Sequence, residues 1–250
     1  MTKRHQSGAD LARPRVPPGH RVYAIGDVHG CDELLQAMLA SIQRHADDHP
    51  IDTKTLILLG DYVDRGPDPQ AVVERVRAWS APGFQVRHLK GNHEDLMLKF
   101  LETGALGEAW LTNGARQTME SYGVPTTEIL ASLGDLQHLR LRLAEALPKD
   151  HLAFLRSLSV THEIGDYLFV HAGIRPGVPI DEQSEADCLW IRDHFLNDDR
   201  DHGKIVVHGH SISYQPELQA NRIGIDTGAF ATGRLTCLVL EEDSQEFLTA

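Results

Sequence analysis

An α/β fold built on a parallel sheet is predicted by three successive segments of one design. Each has a short apolar strand, a loop carrying glycine with acidic, amide or imidazole side chains, and then an amphipathic helix. The clearest strand and loop are residues 56–66, Leu-Ile-Leu-Leu-Gly-Asp-Tyr-Val-Asp-Arg-Gly. Four apolar residues in a row suit a strand buried on both faces. The apolar run then stops, and Gly60, Asp61, Asp64 and Arg65 follow in the turn. Open α/β sheets place their sites at that carboxyl edge.

The first unit opens with a strand over residues 21–25 and the loop Gly26-Asp27-Val28-His29-Gly30. Leu34, Leu35, Met38, Leu39 and Ile42 then recur at helical spacing. After the second strand, Asp68 is a candidate helix cap and Pro69 suits the first turn of a helix carrying Val72, Val73, Val76 and Trp79. The third unit is a strand over residues 84–89, Gly91-Asn92-His93-Glu94, and a helix with Leu96, Leu98, Phe100 and Leu101. Right-handed crossovers put all three loops on one edge. Residues 103–160 read as a helical insertion beside that edge. Strands return at 167–170, 204–207, 222–225 and 234–240, with His171, His208, His210 and Asp226 just past three of them.

Composition excludes several classes. The chain has 250 residues, 41% hydrophobic and 24% charged, with a formal charge of −12. That balance suits a globular protein, and the acidity argues against a nucleic-acid partner. No apolar run reaches the roughly 18 to 20 residues of a membrane span, and no membrane partner is expected. The N-terminus is too polar for a signal peptide, so a cytoplasmic location is expected. Cys31, Cys188 and Cys237 are scattered, which fits neither a disulfide framework nor a zinc cluster. Residues 1–19 hold Lys3, Arg4, Arg13 and Arg15 among three prolines and are expected to form a disordered tail. Residues 20–250 then form a single domain.

The polar residues past the strand ends are Asp27, His29, Asp61, Asp64, Asn92, His93, His171, His208 and His210. Asp27 and His29, two apart, would face one side in an extended loop start. Carboxylate, imidazole and amide oxygen without thiolate suit manganese, iron or zinc in a catalytic setting. More than four candidates exceed what one tetrahedral ion uses, which points to two ions sharing a carboxylate. Ions about 3.5 to 4 Å apart clamp the attacking and leaving oxygens of an in-line displacement, the chemistry of phosphate-ester hydrolysis. Taken singly, the Gly-Asp pairs read as turns. Gly91-Asn92 reads as a left-handed turn, His171 as a buried structural histidine, and Arg65 as a partner of Asp64. Recurrence in five loops makes them a site.

Gly26-Asp-Val-His-Gly30, Gly60-Asp-Tyr-Val-Asp-Arg-Gly66, Gly91-Asn-His-Glu94, His171-Ala-Gly173 and Gly209-His210, in that order, resemble the signature of the phosphoprotein phosphatase branch of the calcineurin-like metallophosphoesterases. Cys188-Leu-Trp-Ile-Arg-Asp193 and Ile225-Asp-Thr-Gly228 with Gly233-Arg-Leu235 resemble the short bacterial and bacteriophage-type serine/threonine protein phosphatases. The resemblance spans about residues 20 to 240. It implies two packed β-sheets flanked by helices, with two divalent metals at the carboxyl ends of central strands: manganese first, iron or zinc tolerated. It assigns Asp27, His29 and Asp61 to one metal, and Asp61, Asn92, His171 and His210 to the other. His210 is preferred over His208 because the last metal histidine of the family lies in a Gly-His pair.

The same resemblance implies direct attack by a metal-bridging hydroxide, with no covalent phosphoenzyme. His93 would be the general acid, oriented by Asp64, and Arg65, Asn92 and Arg192 would bind the phosphate. His171-Ala-Gly replaces the His-Gly-Gly of larger relatives and keeps the ligand. The substrates implied are phosphoserine and phosphothreonine proteins, acted on by a monomer. The main rival is a symmetrical dinucleoside tetraphosphatase or broad-specificity phosphoesterase of the same fold. The tetraphosphatases tend to lack the second aspartate of the Gly-Asp-x-Val-Asp-Arg-Gly block and to carry Gly-Asn-His-Asp, whereas this chain has Asp64 and Glu94. A catalytically silent scaffold is disfavoured because every implied ligand is present.

Overall fold

Two five-stranded mixed sheets pack face to face with helices on their outer faces. The computed structural model describes residues 13–127 and 136–250. In chain order it builds β1 (His20–Ile25), α1 (Asp32–Asp48), β2 (Thr53–Leu58), α2 (Pro69–Ala78), β3 (Phe84–His88) and α3 (Asn92–Thr103). Four helices follow: α4 (Gly107–Thr112), α5 (Ala115–Ser121), α6 (Leu136–Ala146) and α7 (Lys149–Arg156). The second half contains β4 (Thr161–Ile164), β5 (Tyr167–Val170), α8 (Glu185–Trp190), α9 (Asp193–Leu196), β6 (Ile205–His208), β7 (Glu217–Leu218) and β8 (Arg222–Gly224). It ends with α10 (Ala229–Thr232), β9 (Thr236–Glu241) and β10 (Ser244–Thr249).

The first sheet has the order β10-β9-β1-β2-β3, and the second β4-β5-β6-β8-β7. β1, β2 and β3 are parallel, as the three repeated units require. β5, β6 and β8 are also parallel. Alternation along β1 divides the core. Val22 and Ala24 face the second sheet and pack with Ile57, Leu59, Phe169, Val207, Ile223 and Leu238. Tyr23 and Ile25 face outward into the apolar stripes of α1, α2, α3 and the insertion. A third cluster joins Leu168, Val170 and Val206 to Cys188, Ile191 and Phe195 on the far side. α2 is capped as its sequence predicts: Asp68 Oδ1 accepts the Ala71 N–H at 3.0 Å, and Pro69 opens the helix.

The chain differs from the sequence expectation in two respects. Residues 1–12 of the expected tail lie outside the described residues, but residues 13–19 are packed, not disordered. Val16 is 2% exposed and fills the inter-sheet core. Its N–H donates to Glu242 O at 3.0 Å, and Arg15 exchanges hydrogen bonds with Asp166. One apolar residue with paired backbone groups on both sides is enough to anchor the segment. The strands β4, β7 and β10 carried no signal. β10, Ser-Gln-Glu-Phe-Leu-Thr, is an edge strand exposed along most of its length, so apolar alternation is weak. The insertion at 103–160 is helical as expected, though part of its 130–147 pattern lies outside the described residues. Among the described residues, no helix is long and apolar enough to cross a membrane.

Candidate active site

The loops after β1, β2, β3, β5, β6 and β8 converge at the carboxyl ends of the parallel strands of both sheets. The backbone there is held in costly conformations. Seven non-glycine residues among those described have positive φ, and five of them are His29, Asp61, Asp64, Arg65 and His210. Each such residue costs about 1 to 3 kcal/mol, and such strain collects at functional sites. His29, at φ 44°, also corrects the expectation of an extended loop start: the chain turns there, so simple alternation does not place Asp27 and His29 together.

The loops fit tightly against one another. Val28 and His29 N–H groups donate to Asp61 O at 3.2 and 2.8 Å, locking the first loop onto the second. A Cβ at Gly91 would overlap Asp61 Oδ1, and one at Gly209 would overlap Asp27 Oδ1, so only glycine permits either approach. Glu94 carries out a backbone task that its place in Gly91-Asn-His-Glu94 did not reveal. Its carboxylate accepts the N–H groups of Asp61, Tyr62, Val63 and Gly91 at 2.8, 2.8, 3.2 and 2.9 Å. One buried side chain therefore fixes the turn that carries Asp61. Burial, aided by Asp61, pushes its carboxyl up to about 7.

Two groups of potential ligand atoms share Asp61. Those of His29, Asp61 and His93 lie within 4.8 Å of one another, as do those of Asp61, His171 and His210. His29 Nδ1 donates to Val63 O at 2.9 Å and His171 Nδ1 to Leu59 O at 3.0 Å. A carbonyl only accepts, so each ring presents a bare Nε2 to the site. Those nitrogens stand 3.4 and 3.5 Å from Asp61 Oδ2. Asn92 Oδ1 lies 2.8 Å from His171 Nε2 and 2.9 Å from His210 Nδ1, and the buried His210 Nε2 has no hydrogen-bond partner among the described residues.

Burial lowers His29 to about 3 and His210 to about 2, which preserves their lone pairs at neutral pH. Burial opposes ionisation of Asp61, but the surrounding imidazoles outweigh it and hold the carboxylate far below its usual range. The bare Nε2 atoms of His29 and His171, converging on the Asp61 carboxylate with Asn92 Oδ1 and the His210 ring beside them, form a donor set of the kind divalent cations take, and the residues fit such ions.

Asp27 lies in neither group. It accepts the His210 N–H at 3.2 and 3.1 Å, and burial together with Asp226 and Asp61 pushes its carboxyl well up. Asp226, buried just past β8, stands at a strand end in the sequence reading but has no role assigned there.

One member of the first group, His93, also belongs to a proton-handling pair. His93 Nδ1 is 2.6 Å from Asp64 Oδ2. Trp110 Nε1 donates to the same oxygen at 2.8 Å, and the Thr118 hydroxyl donates to Oδ1 at 2.5 Å. Burial opposes a charged His93, but Asp61 and Asp64 overcome it and hold the imidazole above its ordinary value. Asp64 is fully occupied, so Arg65 does not pair with it. Arg65 Nη2 instead meets His93 Nε2 at 3.1 Å, and its guanidinium covers the Phe230 ring with Cζ 4.8 Å from the centroid. Arg192 is exposed at the start of α9, with its charge felt by His171 and His210 and no ion pair among the described residues. His208 is buried between Phe195 and Gly224, with Nδ1 donating to Gly209 O at 3.0 Å, outside both ligand groups.

A two-sheet α/β fold with divalent-metal ligands, an oriented histidine and a nearby arginine defines a metal-dependent phosphoesterase. The calcineurin-like phosphoesterase profile matches residues 20–235, and the chain belongs to that family. The chain is 28% identical over 227 residues to serine/threonine-protein phosphatase 2 of Salmonella typhimurium, covering 86% of this chain and 90% of that protein. It is 34% identical over 155 residues to a symmetrical bis(5'-nucleosyl)-tetraphosphatase of an Acidovorax species, covering 62% and 44%. The crystal structure of a cold-active protein-tyrosine phosphatase from a psychrophilic Shewanella superposes with a TM-score of 0.57 at 16% identity, covering 94% of this chain and 83% of that one.

Proposed function

We propose that this protein removes phosphate from phosphoserine and phosphothreonine residues of proteins. The supporting observation is the His93–Asp64 pair, 2.6 Å apart and reinforced by Trp110 and Thr118. Serine and threonine leave as alkoxides, which are poor leaving groups and need a proton delivered in the transition state. A nucleotide leaving from a dinucleoside polyphosphate departs as a stable phosphate anion and needs it far less. The near full-length similarity to a serine/threonine-protein phosphatase supports the same reading, but asymmetrical tetraphosphatases are matched over about as much of their length, so the choice rests on the His93–Asp64 pair.

Asp27, His29 and Asp61 would hold one cation, and Asp61, Asn92, His171 and His210 the second, with manganese the first choice. When bound, the two ions supply an activated water nucleophile and neutralise phosphate charge. The chain's own residues do the rest. Asp64 accepts the Nδ1 proton of His93 and fixes the ring, so that Nε2 faces the leaving oxygen. Arg65, paired with no carboxylate among the described residues, binds two non-bridging oxygens from its place over Phe230 while the leaving oxygen takes over the contact with His93 Nε2, with Arg192 and Asn92 assisting.

The test is a side-by-side assay with manganese of a phosphoserine peptide and a dinucleoside tetraphosphate. Faster hydrolysis of the peptide, measured as kcat/KM, is expected. The reverse order would establish the tetraphosphatase alternative instead.

A further inference from the structure

The guanidinium of Arg65 is held in place by groups that its phosphate-binding role does not explain. Its backbone N–H donates to Gly114 O at 3.3 Å, and a Cβ on Gly114 would lie only 2.8 Å from its Cγ. The insertion thus presses on one side of the residue. On the other side, the guanidinium lies over Phe230. No carboxylate among the described residues is within ion-pair distance of it.

Phe230 is one of the few large apolar side chains left exposed, at 36%. It projects from α10, a single turn of four residues bounded by Gly228 and Gly233 at φ 68° and 70°. The turn is pinned at its base, where Asp226 Oδ1 accepts the Gly228 N–H at 2.8 Å and the Thr232 hydroxyl donates to Thr227 O at 2.8 Å. The ring also meets His29 edge-on, with centroids 5.3 Å apart.

An exposed aromatic side chain normally loses by leaving water-accessible apolar surface, and here it is fixed over a cation. A carboxylate in that position would also orient Arg65, but it would occupy the N–H groups and cancel the charge. A π face attracts the guanidinium through its quadrupole and leaves the in-plane donors free for an anion. We propose that Phe230 is a positioning residue for substrate phosphate, holding the Arg65 plane in its binding orientation without using its hydrogen-bond donors. The inference rests on the assignment of Arg65 to phosphate.

The experiment titrates inorganic phosphate into manganese-loaded protein by calorimetry and measures KM and kcat on a phosphoserine peptide. The variants are Phe230→Ala, Phe230→Leu, Phe230→Trp, Arg65→Ala and the double variant Arg65→Ala/Phe230→Ala. Phe230→Ala is expected to weaken phosphate binding about two- to five-fold, with a matching rise in KM and kcat within about two-fold. Phe230→Leu should behave like alanine despite its bulk, and Phe230→Trp should restore binding. In the Arg65→Ala background the Phe230→Ala change should have no further effect. Unchanged phosphate affinity in Phe230→Ala, or an equal loss with and without Arg65, would overturn the proposal. A drop in manganese affinity sufficient to explain the loss, read in a separate metal titration, would overturn it too. If Arg65→Ala itself leaves phosphate binding intact, the assignment of Arg65 fails, a result distinct from silence of Phe230→Ala alone.

Discussion

The Trp110 indole N–H donates to Asp64 Oδ2 at 2.8 Å, the oxygen that also meets His93 Nδ1. Both side chains are fully buried, so the helical insertion reaches into the centre of the proton-transfer pair. With Thr118 on Oδ1, the carboxylate cannot rotate, and His93 is aimed from two residues away.

Trp110→Phe keeps an aromatic ring against Phe100, though a smaller one, and removes the donor. Losing one buried hydrogen bond to a charged group costs about 1.5 to 3 kcal/mol, and part of that is expected in the transition state. The expected kcat on a phosphoserine peptide is about ten-fold lower, with a smaller loss on p-nitrophenyl phosphate, whose leaving group needs no acid. Equal losses on both substrates would show that the indole only supports the fold.

Asp64→Asn replaces a carboxylate that accepts from His93, Trp110 and Thr118 with an amide whose NH2 group can accept from none of them. It also removes one of the two carboxylate charges, with that of Asp61, that raise the His93 imidazole above its ordinary value. The expected loss in kcat is about 100-fold on phosphoserine peptide. His93→Asn should lower it at least as far, and combining the two should add little, because they act as one unit. Additive losses in that double variant would separate the two roles.

What could be read from the sequence depended on distance along the chain. Gly60-Asp-Tyr-Val-Asp-Arg-Gly66 and Gly91-Asn-His-Glu94 lie in short loops after apolar strands, so their residue types announce a site locally. Trp110 and Thr118 reach Asp64 across 46 and 54 positions. Their own context is a helix, where a tryptophan and a threonine read as ordinary core. Glu94 was legible as part of a motif but not as the acceptor for four amides, because that role exists only once two loops meet. Val16 was lost in a proline-rich, basic context that resembles a solvated leader. Phe230, in a four-residue turn, has no periodicity to mark it.

Glu94→Gln tests the backbone clamp. A carboxylate accepts all four N–H groups, whereas an amide turns one acceptor into a donor facing them. Leaving buried amides unsatisfied costs about 1 to 3 kcal/mol, so the melting temperature should fall by about 2 to 12 °C, with manganese affinity reduced because Asp61 is no longer fixed. Glu94→Asp is one methylene too short to span the turn and should behave similarly. Full stability in both variants would show that the turn holds Asp61 unaided.

Manganese should stabilise the fold independently of turnover. At a free concentration about 100 times its Kd, a bound ion contributes about 2.7 kcal/mol, a rise of roughly 5 to 10 °C in melting temperature. A chelator should reverse the rise and stop phosphate release. Asp61→Asn should abolish the shift, since Asp61 belongs to both ligand groups. A full shift in that variant would place the ions elsewhere.

The last expectation concerns acid stability and His208. Burial lowers this imidazole to about 4, and only its hydrogen bond to Gly209 O opposes the shift appreciably. Nδ1 carries the proton of that bond, and the buried Nε2 has no partner among the described residues, so a second proton would be buried without compensation. The folded state therefore takes up a proton near pH 4, while the unfolded chain takes one up near the ordinary histidine value of about 6.5. Between those limits the unfolded state binds more protons, so stability is complete above about pH 6.5 and falls as the pH drops toward 4. The contribution lost by pH 4.5 is about 2 to 3 kcal/mol. Other buried histidines, among them His29 and His210, add to the total slope, which makes the comparison with a variant the informative quantity. His208→Asn keeps a donor for Gly209 O and removes the titrating ring. Urea unfolding at pH 7 and pH 4.5 should show the variant losing about 2 to 3 kcal/mol less than the parent protein between the two conditions. Parallel pH profiles would mean that His208 is protonated equally in both states and that its burial is compensated in solution.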